Sequence, residues 1–461
     1  MEGKNQMSQK PLRGLLIAVL LLLVCVLIIQ CLFWTGVIGK KVESSTAASA
    51  TVSAGEGSLL RDGYTLEQVV VLSRHNIRSP LSGSGSALGT ITPHEWFQWS
   101  SNPSELSLRG GVLETEMGQY FRKWLEREGL FPENYHPAAD EVRIYANAKQ
   151  RTIATAEYFV SGLLPTANTP IETHAAYDMM DPVFTPQLTF VSPEYIEDAE
   201  AQIWELYGDT VNGLADNYAL IADVIDMEQS EARKDGSVTP FVTDDSQLVL
   251  ELDKEPGVKG SLKTACSVSD ALVLQYYEEP DAVKAAFGHE LTDEQWQQIS
   301  EVKDVYGDVL FTAPLIAANV AHPLLQEIAS ELTADGRVFT FLCGHDSNVG
   351  SVLAALGAED YALPGAIEKT PIGCKLVFCR WRGPDGSSYC TVDLVYETVD
   401  QLRATPLLDL EQHPAIVPMR FAGITPNADG LYAETDFVNL LQSSIAEYDR
   451  IAEIYVPANA A

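Results

Sequence analysis

The chain has 461 residues, 46% of them hydrophobic, and a formal net charge of −34. That length supports a large buried core in one or two packed units, and the acidic balance excludes nucleic acid and anionic lipid headgroups as partners. It would equally repel a phosphate ester, so any phosphate chemistry requires a local cluster of cations strong enough to override the global field.

Gly14 to Gly39 is almost wholly apolar, interrupted by Gln30 and Thr35, with Lys4, Lys10 and Arg13 before it and Lys40 and Lys41 after it. Such a run is long enough to cross a bilayer as a helix. It predicts a cytoplasmic stub and transmembrane signal anchor within residues 1–41, with the rest of the chain extracytoplasmic on a single-pass membrane protein. The competing expectation is a cleaved signal and a secreted or periplasmic product. The small residues Ala48-Ser49-Ala50 lie well past the apolar run. Residues 42–59, rich in Ser, Thr, Ala and Gly, read as a flexible stalk.

Three later segments share one local design. Gln68-Val69-Val70-Val71-Leu72 ends in Ser73-Arg74-His75. Val142-Arg143-Ile144-Tyr145-Ala146 is followed by Asn147 and a helical pattern from about Lys149. Val338-Phe339-Thr340-Phe341-Leu342 ends at Gly344-His345-Asp346, with a helical pattern through Leu353 and Leu356. Each predicts a strand and a polar turn, and the last two add a helix. Strands alternating with helices predict an α/β fold with a mostly parallel sheet, and ligands of such sheets bind beyond the carboxyl ends of the strands.

Leu113, Met117, Tyr120, Phe121, Trp124 and Leu125 recur at helical spacing and read as core packing. Between the second and third junctions the chain is mostly helical in pattern, interrupted by the loop Glu255-Pro256-Gly257-Val258-Lys259-Gly260. The expected organisation is an α/β core, residues 60–168 plus 300–461, split by a helical cap insertion over 169–299. Beyond the apolar segment five cysteines remain, Cys266, Cys343, Cys374, Cys379 and Cys390. They read as scattered core thiols with at most one disulfide, and their spacing matches no zinc pattern. Neither a metal nor an organic cofactor is expected.

The three junctions would bring together Arg74, Arg78, Arg151, His75 and His345, with Asp346 as the one acid. Arginine forks suit phosphate oxygens, an imidazole can attack phosphorus, and a neighbouring carboxyl group can protonate a leaving alkoxide. Arg151 near a helix start works against the helix dipole, a conflict that a bound anion would relieve. Taken singly, each motif also fits an ordinary polar turn or helix cap.

The pattern Arg74-His75-Asn76-Ile77-Arg78-Ser79-Pro80, followed much later by His345-Asp346, resembles the signature of the histidine acid phosphatases. Within that family the chain looks most like the bacterial periplasmic glucose-1-phosphatases, which share Asn after the reactive His. Gln150-Arg151-Thr152-Ile153, Met180-Asp181-Pro182, Glu255-Pro256-Gly257-Val258 and Thr370-Pro371-Ile372-Gly373 carry the resemblance further. It implies a histidine-phosphatase-like three-layer core and a phosphohistidine intermediate on His75. Arg74, Arg78, Arg151 and His345 would bind phosphate, Asp346 would donate the proton, and Glu255 would contact the sugar. The implied substrate is a small phosphomonoester, glucose 1-phosphate first. Phytate is the alternative within the same chemistry, and a non-catalytic phospho-sugar-binding surface protein is the alternative outside it.

Overall fold

The computed structural model describes residues 57–81 and 87–456. The expected anchor within 1–41 lies outside the described residues, as does the expected stalk except for residues 57–59. Among the described residues no single helix is long and apolar enough to cross a membrane.

Nine strands are described. They are β1 (Thr65–Arg74), β2 (Val142–Ala146), β3 (Gln247–Val249), β4 (Gly257–Lys259), β5 (Phe339–Gly344), β6 (Lys375–Arg382), β7 (Ser388–Tyr396), β8 (Ala415–Pro418) and β9 (Tyr432–Ala433). The longer helices are α1 (Leu108–Arg127), α2 (Gln150–Leu163), α3 (Pro193–Asn212), α4 (Ala215–Val224), α5 (Ser261–Glu278), α6 (Asp293–Phe311), α7 (Pro314–Leu332), α8 (Asp346–Ala355) and α9 (Glu434–Tyr455). The principal sheet runs β2-β5-β1-β6-β7-β8, with β9 on β7, and β3 and β4 form a separate ribbon.

Only the β2-β5-β1 portion is parallel, whereas β6, β7, β8 and β9 join antiparallel. The sheet is therefore mixed, not mostly parallel as expected. The reason is local: β6 returns as β7 through the short Gly383–Ser387 turn, and a parallel partner would need a crossover of a dozen residues or more.

Both sheet faces are covered, which explains the unbroken apolar runs in the central strands. Val69 and Val71 pack with Phe339 and Phe341 against Phe121 and Trp124 of α1 and Phe159 of α2. Val70 and Leu72 pack with Leu342 against Leu325 and Ile328 of α7 and Val349 and Val352 of α8. This is the three-layer core, and the predicted α1 stripe from Met117 to Leu125 is buried in it, while Leu113 at its start is buried in a separate cluster. A further apolar cluster joins α3, α4, α5 and α6 beside the sheet edge. The anticipated boundary at residues 299/300 falls inside α6, because the apolar face of that helix continues from Trp296 and Ile299 through Val302, Val305 and Val309. All five described cysteines are free thiols, and four of them are buried.

The position of α2 depends on two glycines. A Cβ at Gly118 of α1 would overlap the Phe159 carbonyl oxygen, and one at Gly162 of α2 would overlap the Thr115 carbonyl oxygen. The two backbones thus touch directly, and this contact sets the seat of α2, whose first turn carries Arg151. Gly118→Ala is expected to cost about 1–3 kcal/mol by overpacking, although alanine is the better helix former. Gly208→Ala in α3, with open space at its Cβ, should be neutral or mildly stabilising. Urea unfolding midpoints of the two variants check this.

Candidate active site

The three predicted junctions meet at one edge of the sheet. Parallel register pairs Arg74 of β1 with Gly344 of β5, and Ala146 of β2 with Cys343 of β5. The residues that follow these strands, His75, Asn147 and His345, therefore emerge side by side. They open into a cleft of about 890 Å³ lined by His75, Arg78, Arg151, His345, Asp346 and Glu255, with α5 and α6 supplying Asp270, Lys303 and Asp304.

His75 is buried, and its Nδ1 lies 2.9 Å from the Asn76 carbonyl oxygen. A carbonyl only accepts, so Nδ1 carries the proton and Nε2 keeps its lone pair. Burial, then Arg151, His345, Arg78 and Arg74, hold the imidazole well below its ordinary value of 6.5. It is a neutral base surrounded by cations.

His345 is fixed from the β2 junction. The Asn147 Oδ1 accepts from the Asp181 N–H at 2.9 Å, which orients the amide so that Nδ2 donates to His345 Nε2 at 2.7 Å. The proton of the neutral ring then sits on Nδ1, 3.4 Å from Arg151 Nη2. Two donors face one another, and an oxyanion accepting from both would resolve the conflict. Burial and the Arg78 charge lower the Arg151 guanidinium to about 10. Its buried Nε, like that of Arg78, has no hydrogen-bond partner among the described residues.

The remaining cations are balanced by acids from elsewhere in the chain. Arg78 Nη2 meets Asp270 Oδ2 of α5 at 3.1 Å. Arg74, only 1% exposed, lies beneath the cleft lining; it donates to Glu368 at 2.8 Å and to the Thr370 carbonyl at 2.5 Å, and reaches Asp346 at 3.4 Å. Lys303 of α6 bridges Glu368 at 2.7 Å and Asp346 at 3.2 Å. Burial opposes ionisation of Glu368, but Arg74 and Lys303 overcome it and bring the carboxyl down to about 2. Burial likewise opposes ionisation of Asp346, and the cations Lys303, Arg74 and Arg78 outweigh it, holding the carboxyl well below 3.8. Glu255 stands on the cleft wall, where desolvation within the cleft and then the Asp346 charge raise its carboxyl.

All seven sequence-predicted site residues thus converge. Sequence reasoning missed Asn147, Asp270, Lys303 and Glu368. Asn147 carried a legible signal, since it occupies the strand-end position that His75 and His345 occupy in the other two junctions. Asp270 and Lys303 sit within helical patterns where charges normally face solvent, and Glu368 is one loop carboxylate among many.

Behind His75, Asn76 donates to Glu114 Oε1 at 2.9 Å, and Lys375 reaches the same oxygen at 2.8 Å, with both charged side chains fully buried. Gly373, at φ +69°, lies against the Asn76 amide, and a Cβ there would overlap Nδ2. This buried set supports the turn that carries His75.

Fold and electrostatics together define the class: an α/β enzyme whose cleft gathers cations at the carboxyl edge of its sheet. The chain belongs to the histidine phosphatase superfamily (branch 2), whose family model matches residues 65–396. It is 37% identical over 413 residues to a glucose-1-phosphatase of Salmonella typhimurium, covering 88% of this chain and 99% of that protein. A glucose-1-phosphatase of Providencia rettgeri is 36% identical over 390 residues, covering 83% and 92% respectively. Among solved structures, apo Hafnia alvei phytase superposes with a TM-score of 0.76 at 27% identity, covering 84% of this chain and 99% of that one.

Lys375→Met would leave Glu114 buried without its cation. The expected cost is about 3–5 kcal/mol at neutral pH, read from urea unfolding.

Proposed function

We propose that the chain is an acid phosphomonoesterase acting on sugar monophosphates, glucose 1-phosphate first, through a phosphohistidine on His75. The observation that carries this reading is the pair of opposed donors, Arg151 Nη2 and His345 Nδ1–H, beside the free Nε2 of His75. An oxyanion bound there, with Arg78 alongside, places phosphorus within reach of that lone pair. Nε2 attacks phosphorus, the ester oxygen departs with the proton of Asp346, and water then displaces the imidazole. Arg74 acts from beneath, fixing Asp346 and adding positive charge to the phosphate end.

The walls argue for one phosphate and a hydroxyl-rich remainder. Beyond Arg78, Arg151 and Lys303, the cleft carries Lys263 and Lys369 against Glu255, Asp304, Asp308, Glu359 and Asp360. Lys369 is itself paired with Asp308 at 2.8 Å. Carboxylates accept from sugar hydroxyls and repel additional phosphates, and Glu255 is the residue we assign to the sugar. The names of the relatives agree: glucose-1-phosphatases at 36–37% identity, against 27% for a phytase of Escherichia coli. Phytate remains the comparison substrate, because a cleft of about 890 Å³ has room for it. The single-pass anchor, with an extracytoplasmic catalytic unit, is part of the same proposal and rests on the apolar run from Gly14 to Gly39.

His75→Ala is expected to lower phosphate release from glucose 1-phosphate by at least about 1,000-fold, and near-normal turnover would defeat the reading. The wild-type protein should turn over glucose 1-phosphate faster than phytate in side-by-side assays. The lowered His75 value has a definite sign: the nucleophile stays neutral as pH falls through 6.5 and is lost only well below it. The pH profile of kcat/KM should accordingly show no loss of activity centred near 6.5 on its acid side.

A further inference from the structure

We propose that Lys303, supplied by α6, is the positioning residue that holds the Asp346 carboxylate and releases it when a phosphate ester enters the cleft. This rests on the phosphatase reading above and adds a residue that neither the sequence motifs nor the family resemblance picks out.

The geometry is an alternating square of charges. Lys303 and Arg74 both contact Glu368 Oε1, at 2.7 and 2.8 Å, and both contact Asp346 Oδ2, at 3.2 and 3.4 Å. The other Asp346 oxygen, Oδ1, accepts from the Ser347 N–H at 2.9 Å. Each oxygen is thus engaged, and a carboxyl group held this way stays ionised and has no proton to give. The two cations are not equivalent. Arg74 is buried below the cleft and tied to Glu368 and the Thr370 carbonyl, whereas Lys303 lines the cleft itself. Lys303 is therefore the cation that an incoming phosphate meets, and it can give up Asp346 while keeping its shorter contact with Glu368.

The charges around Asp346 come from every neighbouring element. The β1 end contributes the cations Arg74 and Arg78 and the neutral, titratable His75, α2 contributes Arg151, and the β5 end contributes the neutral, titratable His345. Glu255 opposes them from its loop. Around Lys303 stand Glu368, Asp270 of α5 and Asp304 of α6. A phosphate dianion among Arg78, Arg151 and His345 offsets the cations and draws on Lys303, so the Asp346 carboxyl can carry a proton. As the Nε2–P bond forms and the P–O ester bond breaks, that proton passes to the leaving oxygen. Lys303 then re-engages Asp346 as carboxylate, the form that accepts a proton from water as the new O–P bond forms and Nε2–P breaks.

The test is the pH profile of kcat/KM for full-length Lys303→Gln and Lys303→Arg on glucose 1-phosphate, which needs a protonated leaving group, and on p-nitrophenyl phosphate, which does not. In Lys303→Gln the alkaline limb on glucose 1-phosphate should move up by about one pH unit, because one cation beside the acid is gone. It should return to the wild-type position in Lys303→Arg and stay unmoved on p-nitrophenyl phosphate. Lys303→Met, which keeps the apolar stem, replaces Lys303→Gln if that variant does not fold, with the same shift expected. An unmoved limb, or an equal shift in the Gln and Arg variants, overturns the role given to Lys303. A wild-type protein that releases no phosphate from any monoester would instead overturn the phosphatase reading itself.

Discussion

The structure turns on one electrostatic constraint: positive charge is concentrated and desolvated at a single sheet edge of a chain whose net charge is −34. Arg74, Arg78, Arg151 and Lys303 are too close together and too poorly hydrated to stand unaided. Three have acids beside them, Glu368 for Arg74 and Lys303, and Asp270 for Arg78. Arg151 instead faces another donor, His345. That imbalance at the carboxyl edge of β2, β5 and β1 is the basis for the oxyanion site we propose, and it supplies the local cations that an acidic protein needs to accept an anionic ester.

The same constraint ties the helical segment to the chemistry. Asp270 and Lys303 belong to α5 and α6, whose apolar faces pack in a cluster of their own beside the sheet. These helices supply part of the charge balance on which the strand-end residues rely. Beneath the sheet edge, the buried Asn76-Glu114-Lys375 set holds the turn after β1. The backbone contact of α1 with α2 at Gly118 and Gly162 sets where Arg151 begins. Core packing and site geometry are one arrangement viewed from two ends.

Much of this was legible in the residues. The strand-and-turn pattern placed His75, Arg151, His345 and Asp346 at one edge because period, length and polar ending agree in each segment. What was not legible depends on long-range placement. The antiparallel half of the sheet follows from the β6–β7 hairpin, whose apolar strands look the same in either direction. The continuation of α6 past residue 300 is a matter of packing. Lys303 and Glu368 are 65 residues apart, and a lysine in an amphipathic helix reads as solvated until the fold sets it against a buried carboxylate. Asn147 was the exception: its strand-end position marked it, but a lone Asn suggests a turn before it suggests the partner of an imidazole.

The central claim is that His75 Nε2 attacks phosphorus. It is tested most directly by mixing the protein with a phosphomonoester for milliseconds, quenching in alkaline denaturant, and mapping the covalent phosphate by peptide mass spectrometry. The account predicts a phosphoryl group on the peptide containing His75, absent from His75→Ala and discharged when the wild-type reaction runs on in water. Turnover with no phosphoryl group on His75, or with one on another residue, would contradict it.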